Sequence, residues 1–297
     1  MLHFISGIYV KFNLIKFVYK FFRIIKAIYK EREMIEMIKL IAADMDGTLL
    51  DDNGNLNEEF DSVFHQLVEK NIKFAVASGR QYYRLKASFK DHWEDMVFIA
   101  DNGSMLVDGD EKVYSKALDD RDVKGLIRDS KRFEESHIVL SGKEKAYLDS
   151  DDEDLIEEIE KYYKRYEVVE DLFKVEDEIL KVAIFFPGDA EERFGEFFQP
   201  RWKDRVKIAL SSPIWIDIYN KGTDKGVAMR IIQEKFGIKK EETMAFGDYF
   251  NDVELLEEAK YSYAMENAHE DFKKHANFIA ASNNENGVLE VIKREVL

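Results

Sequence analysis

The chain has 297 residues, 45% of them hydrophobic and 35% charged, with a net charge of −16, six histidines and no cysteine. That composition supplies a core for one large or two ordinary domains in a cytoplasmic setting. It excludes disulfides, thiolate metal sites and a cysteine nucleophile, and it argues against a nucleic-acid partner, which needs a basic face.

Residues 1–36 stand apart from the rest. Lys11, Lys16, Lys20, Arg23, Lys26 and Lys30 recur among Phe12, Ile15, Phe17, Phe21, Ile24 and Ile28, with no acid between them. The pattern is that of a basic amphipathic helix suited to an anionic membrane surface. No stretch of about 18 residues is free of charge, so a transmembrane span is not expected, and no small-residue cleavage site marks a signal peptide. The simpler reading is that translation begins at Met34 or Met37.

From Met37 onward the patterns alternate. A short apolar strand over 39–43 runs into Asp44-Met45-Asp46-Gly47-Thr48. Two carboxylates one residue apart repel each other and need a cation or a chemical task. One of them can attack as a nucleophile while the other moves a proton, and a divalent metal can neutralise the pair. A helix is predicted over 58–70, where Phe60, Val63, Phe64, Leu67 and Val68 fall at helical spacing, then a strand over 72–77 ending in Ser78-Gly79-Arg80. A hydroxyl and a free N–H at the start of the next helix make a natural anion site. A third strand, 96–100, ends in Asp101-Asn102-Gly103. Strand, helix, strand is the pattern of a parallel sheet covered on both faces.

The middle reads differently. Helices over 123–133, 154–163 and 190–198 lie between short strands over 138–140, 146–148, 180–186 and 206–209. None of these strands ends in a catalytic-type cluster, so 118–212 is expected to be an inserted α+β domain. The parallel pattern is expected to resume with a strand over 215–219. A helix over 225–236 then begins at Lys225, which can neutralise both a phosphate and a carboxylate. A strand over 243–246 leads into Gly247-Asp248-Tyr249-Phe250-Asn251-Asp252, which offers an acid as metal ligand and an amide donor. A short strand over 278–281 and a helix over 288–295 close the chain. The expected fold is therefore a doubly wound α/β core, 37–117 plus 213–297, carrying the insertion. In such sheets ligands bind at the carboxyl ends of the strands, where all these clusters fall.

In this order and at these strand ends, the residues resemble the haloacid dehalogenase superfamily, and within it the Cof-type phosphatases with the type IIB cap. Met265-Glu266-Asn267-Ala268 is similar to the family's M-x-N-A element, and Asn284 with Gly287 to its closing N-x-x-G-V. The resemblance implies a Mg²⁺-dependent phosphatase acting on small phosphorylated metabolites, such as sugar phosphates or phosphorylated cofactors, through an aspartyl-phosphate. By the same resemblance Asp44 is the nucleophile and Asp46 the acid and base. Mg²⁺ is held by the Asp44 carboxylate, the Asp46 carbonyl and Asp248. The Met45 N–H, Ser78, the Gly79 N–H, Lys225 and Asn251 hold the phosphoryl oxygens, and Asp252 orients the others. A phosphomutase of the same superfamily is one alternative. A membrane-surface binding protein using the fold as scaffold is another, and the intact set of acids and Lys225 weighs against it. Arg80 reads equally as a substrate contact or a surface ion pair, Asp51-Asp52-Asn53-Gly54 as a turn, and Arg201, Trp202 and Lys203 as a solvated run.

Overall fold

The computed structural model describes residues 38–188 and 190–297, so the N-terminal extension 1–36 lies outside the described residues. No helix among the described residues is long and apolar enough to cross a membrane.

Two sheets organise the chain. The first holds β1 (Leu40–Ala43), β2 (Lys73–Ala77), β3 (Met96–Ala100), β4 (Met105–Asp108) and β5 (Glu111–Ser115). The second is assembled from β6 (His137–Gly142), β7 (Ala146–Leu148), β8 (Tyr166–Val168), β9 (Ile179–Phe185), β10 (Val206–Ser212) and β11 (Trp215–Asn220). The chain then returns to the first sheet with β12 (Thr243–Gly247), β13 (Tyr261–Met265) and β14 (Phe278–Ala280). The first sheet has the order β14-β13-β12-β1-β2-β3-β4-β5, the second β10-β11-β9-β6-β7-β8.

β1 reads Leu-Ile-Ala-Ala and is wholly buried, as a central parallel strand covered on both faces must be. It pairs in parallel with β12 and β2, so Ala42 stands between Ala245 and Ala75. The parallel register continues into β3, whereas β4 and β5 are antiparallel. Parallel pairing puts the carboxyl ends of β1, β2, β3 and β12 on one edge. The ladder runs one residue past the strands there: Asp44 N–H donates to the Phe246 carbonyl at 3.1 Å and Ser78 N–H to the Ile99 carbonyl at 2.8 Å. Helix α1 (Phe60–Glu69) buries Phe60, Val63, Phe64 and Leu67 of its predicted stripe but leaves Val68 exposed, and α2 (Tyr82–Ser88) follows β2. The hairpin β4–β5 and the strand β13 were not foreseen. The hairpin departs from the βαβ rhythm, and Tyr261–Met265 follows α6 (Val253–Glu257), a helix of five residues, too short to stand out.

The main correction concerns β11. Trp215–Asn220, expected to resume the first sheet, pairs antiparallel with β9 and β10 in the second. The alternation Trp-Ile-Asp-Ile-Tyr is itself the mark of an antiparallel strand, since a central parallel strand runs continuously apolar. The second sheet therefore extends through Asn220 rather than ending at 212. Its rows alternate by face. Ile138, Ile184 and Ile216 lie abreast, as do Leu140, Val182 and Ile218, and both rows are apolar and buried. Helix α3 (Asp120–Ser130) covers that face with Val123, Leu126 and Ile127, joined by Phe198 and Trp202. Each such side chain, fully buried, contributes about 1.5–3 kcal/mol. The opposite face carries Ser141 and Lys181 side by side, then Ala183 and Asp217, then Phe185 and Trp215. Helix α4 (Glu153–Glu160) covers part of it through Leu155 and Ile159. The two passages between the sheets meet where Asn220 Nδ2 donates to the Ala117 carbonyl at 2.9 Å.

Helix α5 (Lys225–Phe236) starts against the end of β3. Gly103 has φ +92°, and a Cβ there would lie 2.1 Å from the Asp224 carbonyl oxygen, a backbone atom that cannot yield. Gly54 has φ +76° with nothing within 4 Å. Gly103→Ala is expected to cost about 2–4 kcal/mol, against about 1 kcal/mol for Gly54→Ala. Urea unfolding midpoints of the two variants check this; equal shifts would mean that the Gly103–Asp224 approach does not constrain the fold.

Candidate active site

The carboxyl edge of the first sheet faces the second sheet across a cavity of about 320 Å³. Its lining brings together Asp44, Asp46, Ser78, Gly79, Asp248 and Asn251, residues far apart in the chain. Opposite them stand Tyr162, Tyr163, Lys181, Trp215 and Asp217.

Asp44 leaves β1 only 6% exposed. The chain then turns sharply, with Gly47 at φ +78°. A Cβ on Gly47 would fall 2.4 Å from Asp248 Oδ2, so the two strand-end loops approach this closely only because residue 47 is glycine. Lys225 is fully buried at the first position of α5, whose start Asp224 caps by accepting the Val227 N–H at 2.7 Å. Its ammonium donates to Asp44 Oδ1 and Asp252 Oδ1, both at 2.5 Å. Asp252 is fully buried as well, and its Oδ2 accepts the Asp248 and Tyr249 N–H groups at 3.2 and 3.4 Å. Asp248 Oδ1 accepts the Thr48 hydroxyl at 3.1 Å. Lys225 thus reaches Asp44 from behind, and neither it nor Met45, buried in the turn after β1, lines the cavity.

The Asp46 carboxylate turns the other way. Arg80 holds it in a bidentate grip, Nε to Oδ2 at 2.9 Å and Nη2 to Oδ1 at 2.5 Å. Arg80 is itself 8% exposed while Asp46 is half exposed, and both border the cavity, so the pair belongs to the site. Ser78 Oγ accepts the Arg80 N–H at 3.1 Å, the local turn that opens the next helix. Asn251 Nδ2 donates to Asn102 Oδ1 at 3.2 Å.

Asp44, Asp248 and Asp252 each offer a carboxylate oxygen, all within 4.8 Å of one another. Counting Asp46, four carboxylates face two cations, Lys225 and Arg80, an excess of two negative charges. Burial drives Asp44 well above the usual carboxylate range; Lys225 pulls it down, and Asp252, Asp248 and Asp46 push it further up. Asp248 is pushed up to about 7, by burial first and then by Asp252. An all-oxygen donor set with that surplus of charge fits a hard divalent cation.

Two features escaped the sequence reading. Asp101 and Asn102 adopt left-handed backbone, φ +48° and +54°, and carry Asn102 to Asn251. Their position at a strand end was visible, and only Asn, Asp and Gly enter that region readily. Lys181, Tyr163 and Asp217 reach the cavity from the second sheet, where no motif marks them. Arg80, read as a substrate contact or a surface ion pair, forms its ion pair with Asp46 at the cavity. Asp51 accepts the Asn53 and Asn55 N–H groups at 2.9 and 2.7 Å and forms a turn, and Arg201 and Trp202 both bond Asp129, remote from the cavity.

Residues 41–292 match the family model of haloacid dehalogenase-like hydrolases. The chain is 32% identical over 259 residues to the 5-amino-6-(5-phospho-D-ribitylamino)uracil phosphatase YbjI of Escherichia coli (strain K12), covering 86% of this chain and 96% of that protein. The crystal structure of SMU.1108c from Streptococcus mutans UA159 superposes with a TM-score of 0.80 at 31% identity, over 86% of this chain and 98% of that one. The subclass IIB sugar phosphatase BT4131 shares the fold, with a TM-score of 0.75 at 24% identity over 86% and 98% of the two chains, so the second sheet is the cap of that architecture. With its acids at the ends of β1 and β12 and a lysine at the start of α5, the chain belongs to the haloacid dehalogenase-like hydrolases.

Proposed function

We propose that the chain is a Mg²⁺-dependent phosphomonoesterase for small phosphorylated metabolites, with Asp44 as nucleophile and Asp46 as acid and base. One observation carries this reading: Asp44 and Asp46 both border the cavity, Asp44 braced by Lys225 from behind and Asp46 pinned by Arg80 from the side. Arg80 takes up both Asp46 oxygens, so the acid role requires Arg80 to release one of them as the substrate enters. The likeness to a phosphatase over almost its full length supports the same reading.

An Asp44 oxygen attacks phosphorus, the bond to the leaving oxygen breaks, and Asp46 supplies the proton that oxygen needs. Water then attacks the aspartyl-phosphate, Asp46 takes the water's proton, and phosphate leaves with Asp44 regenerated. Ser78, the Gly79 N–H and Asn251 orient the phosphoryl oxygens, while Lys225, which does not line the cavity, offsets charge behind Asp44. A bound Mg²⁺ supplies the positive charge that lets an anionic phosphate approach this acidic group. Asp44, Asp248 and the Asp46 carbonyl would hold it, with Asp252 behind them. We assign the cap to residues 118–220 and the core to the remaining described residues, from the strand pairing. Among substrates of this class we include the ribitylamino-uracil phosphate in the name of the E. coli relative.

Asp44→Asn is nearly isosteric and is expected to fold while keeping less than about 1% of wild-type turnover. Phosphate release over a panel of phosphorylated metabolites, with and without Mg²⁺, measures it. Retained turnover would remove Asp44 from the nucleophile's role, and isomerisation of a sugar phosphate without phosphate release would favour a mutase.

Asp248 links metal to stability. An acid whose folded pKa lies above its unfolded one holds its proton more tightly in the folded state. Its stabilising contribution is full below the ordinary value of 3.8 and is lost as pH climbs toward about 7. The metal-free protein is therefore expected to lose thermal stability between pH 5 and pH 8. Asp248→Asn flattens that loss, and Mg²⁺ reverses it in the wild type. Asp248→Ala also raises the Mg²⁺ needed for half-maximal activity by about tenfold or more. Melting curves in chelator and in Mg²⁺ at the two pH values check this; a wild-type melt indifferent to both pH and metal would contradict it.

A further inference from the structure

The turn that carries Ser78 and Gly79 belongs to the core, yet part of what holds it comes from the cap. Lys181, on β9, is 3% exposed, and its ammonium donates to the Gly79 carbonyl at 2.6 Å. The same ammonium lies 3.4 Å from Asp217 Oδ2 on β11 and 3.8 Å from Asp101 Oδ1 after β3. Asp217 Oδ2 in turn accepts Asn102 Nδ2 at 2.7 Å, and Asn102 Oδ1 accepts Asn251 Nδ2 at 3.2 Å. Gly79 itself is wedged here, since a Cβ on it would meet the Asn102 amide at 3.3 Å and Asp217 Oδ2 at 3.4 Å. The chain of contacts thus begins on two cap strands and ends on two of the groups read as phosphoryl ligands.

Simple interface packing would not need this arrangement. Burying a lysine and two aspartates is costly unless each is paired, and here the pairing is complete only across the boundary between the sheets. Parted from the core, Lys181 would lose the Gly79 carbonyl and Asp101, and Asp217 would lose Asn102. The Tyr163 ring, 5.6 Å from the ammonium, covers the cluster on the cap side. A second contact between the same sheets serves as comparison. Ser141 Oγ on β6 donates to Asp101 Oδ1 at 2.8 Å, and among the described residues no hydrogen bond joins its side chain to Gly79 or Asn102.

We propose that Lys181 and Asp217 are positioning residues for the phosphate cradle: they fix the Gly79 carbonyl and the Asn102–Asn251 amides, so that the cradle takes its working geometry only with the cap seated on the core. The proposal rests on the reading of Gly79 and Asn251 as phosphoryl ligands.

The test uses the full chain with Mg²⁺, p-nitrophenyl phosphate as substrate and inorganic phosphate as competing ligand, in Lys181→Met, Asp217→Ala, Asp217→Asn and Ser141→Ala. Lys181→Met and Asp217→Ala are expected to raise KM and the phosphate inhibition constant by about tenfold, the size of one lost charge-assisted hydrogen bond. Asp217→Asn keeps an oxygen for the Asn102 amide and stays within about threefold of the wild type by the same arithmetic. Ser141→Ala lowers the melting temperature with both constants unchanged. If Lys181→Met does not fold, the contrast between Asp217→Ala and Asp217→Asn decides. Unchanged phosphate inhibition in Asp217→Ala, an equal rise in Asp217→Asn, or an equal rise in Ser141→Ala overturns the positioning role. If phosphate does not compete even in the wild type, the cradle reading itself falls and takes this proposal with it.

Discussion

The ammonium of Lys225, buried between Asp44 and Asp252, is the constraint on which the rest of the site depends. A lysine with no exposed surface is stable only if its charge is met, and removing one partner of such a group leaves an uncompensated charge in the interior. The backbone must therefore deliver Lys225 to one place, and it does so from several directions. Thr223 Oγ1 donates to the Gly103 carbonyl at 2.8 Å, Asp224 caps the helix, and Gly226 lets the backbone of Glu254 come so near that a Cβ would sit 2.4 Å from its carbonyl oxygen. These are packing and turn contacts, yet their consequence is chemical. They place a fixed positive charge directly behind the carboxylate at the end of β1.

The same arrangement leaves the site over-supplied with negative charge. Asp252 spends one oxygen on Lys225 and the other on two backbone N–H groups, so it is fully engaged without any substrate. Among the described residues Asp248 has only the Thr48 hydroxyl as a side-chain hydrogen-bond partner, and its burial holds its proton up to about pH 7. The contrast assigns different work to the two acids of one loop. Asp252 builds the loop, and Asp248 is left with a charge that the protein alone does not balance. Such a group weakens the fold near neutral pH, a cost consistent with a site arranged for a ligand rather than for stability.

The acids, Lys225 and the Ser78 turn were legible because each sits where a strand pattern ends, and the ends of parallel strands converge. The side on which Asp46 points was not legible. Spacing shows two carboxylates close together, but only the backbone turn at Gly47 sends one toward Lys225 and the other toward Arg80. Arg80 offered no signal beyond a charge after Ser78-Gly79. The cap was harder still. Trp215–Asn220 carries an alternation that speaks for antiparallel pairing, yet its place just before the Lys225 helix suggested a core strand. Proximity in sequence and periodicity pointed in different directions, and periodicity was the better guide because it reports on burial, which pairing determines.

The cap follows a rule that explains why its residues read as featureless. Its two apolar rows, Ile138-Ile184-Ile216 and Leu140-Val182-Ile218, must be apolar to hold α3, and they dominate the pattern. The residues between them lie on the other face, partly against α4 and partly against the core, and the outer rows do not fix their kind. Here they include Ser141, Lys181, Ala183 and Asp217. Because side chains alternate strictly along a strand, a change on the inner face leaves the outer packing untouched. The core cannot vary in that way, since each of its acids is tied to another strand end. The division of labour follows from geometry. Chemistry resides where several strand ends must agree, and the facing wall of the cavity is a sheet face whose side chains alternate away from the cap's own packing. A cap built this way also supplies Lys181 to the turn that carries Gly79, so the freedom of the inner face stops at the positions that reach across to the core.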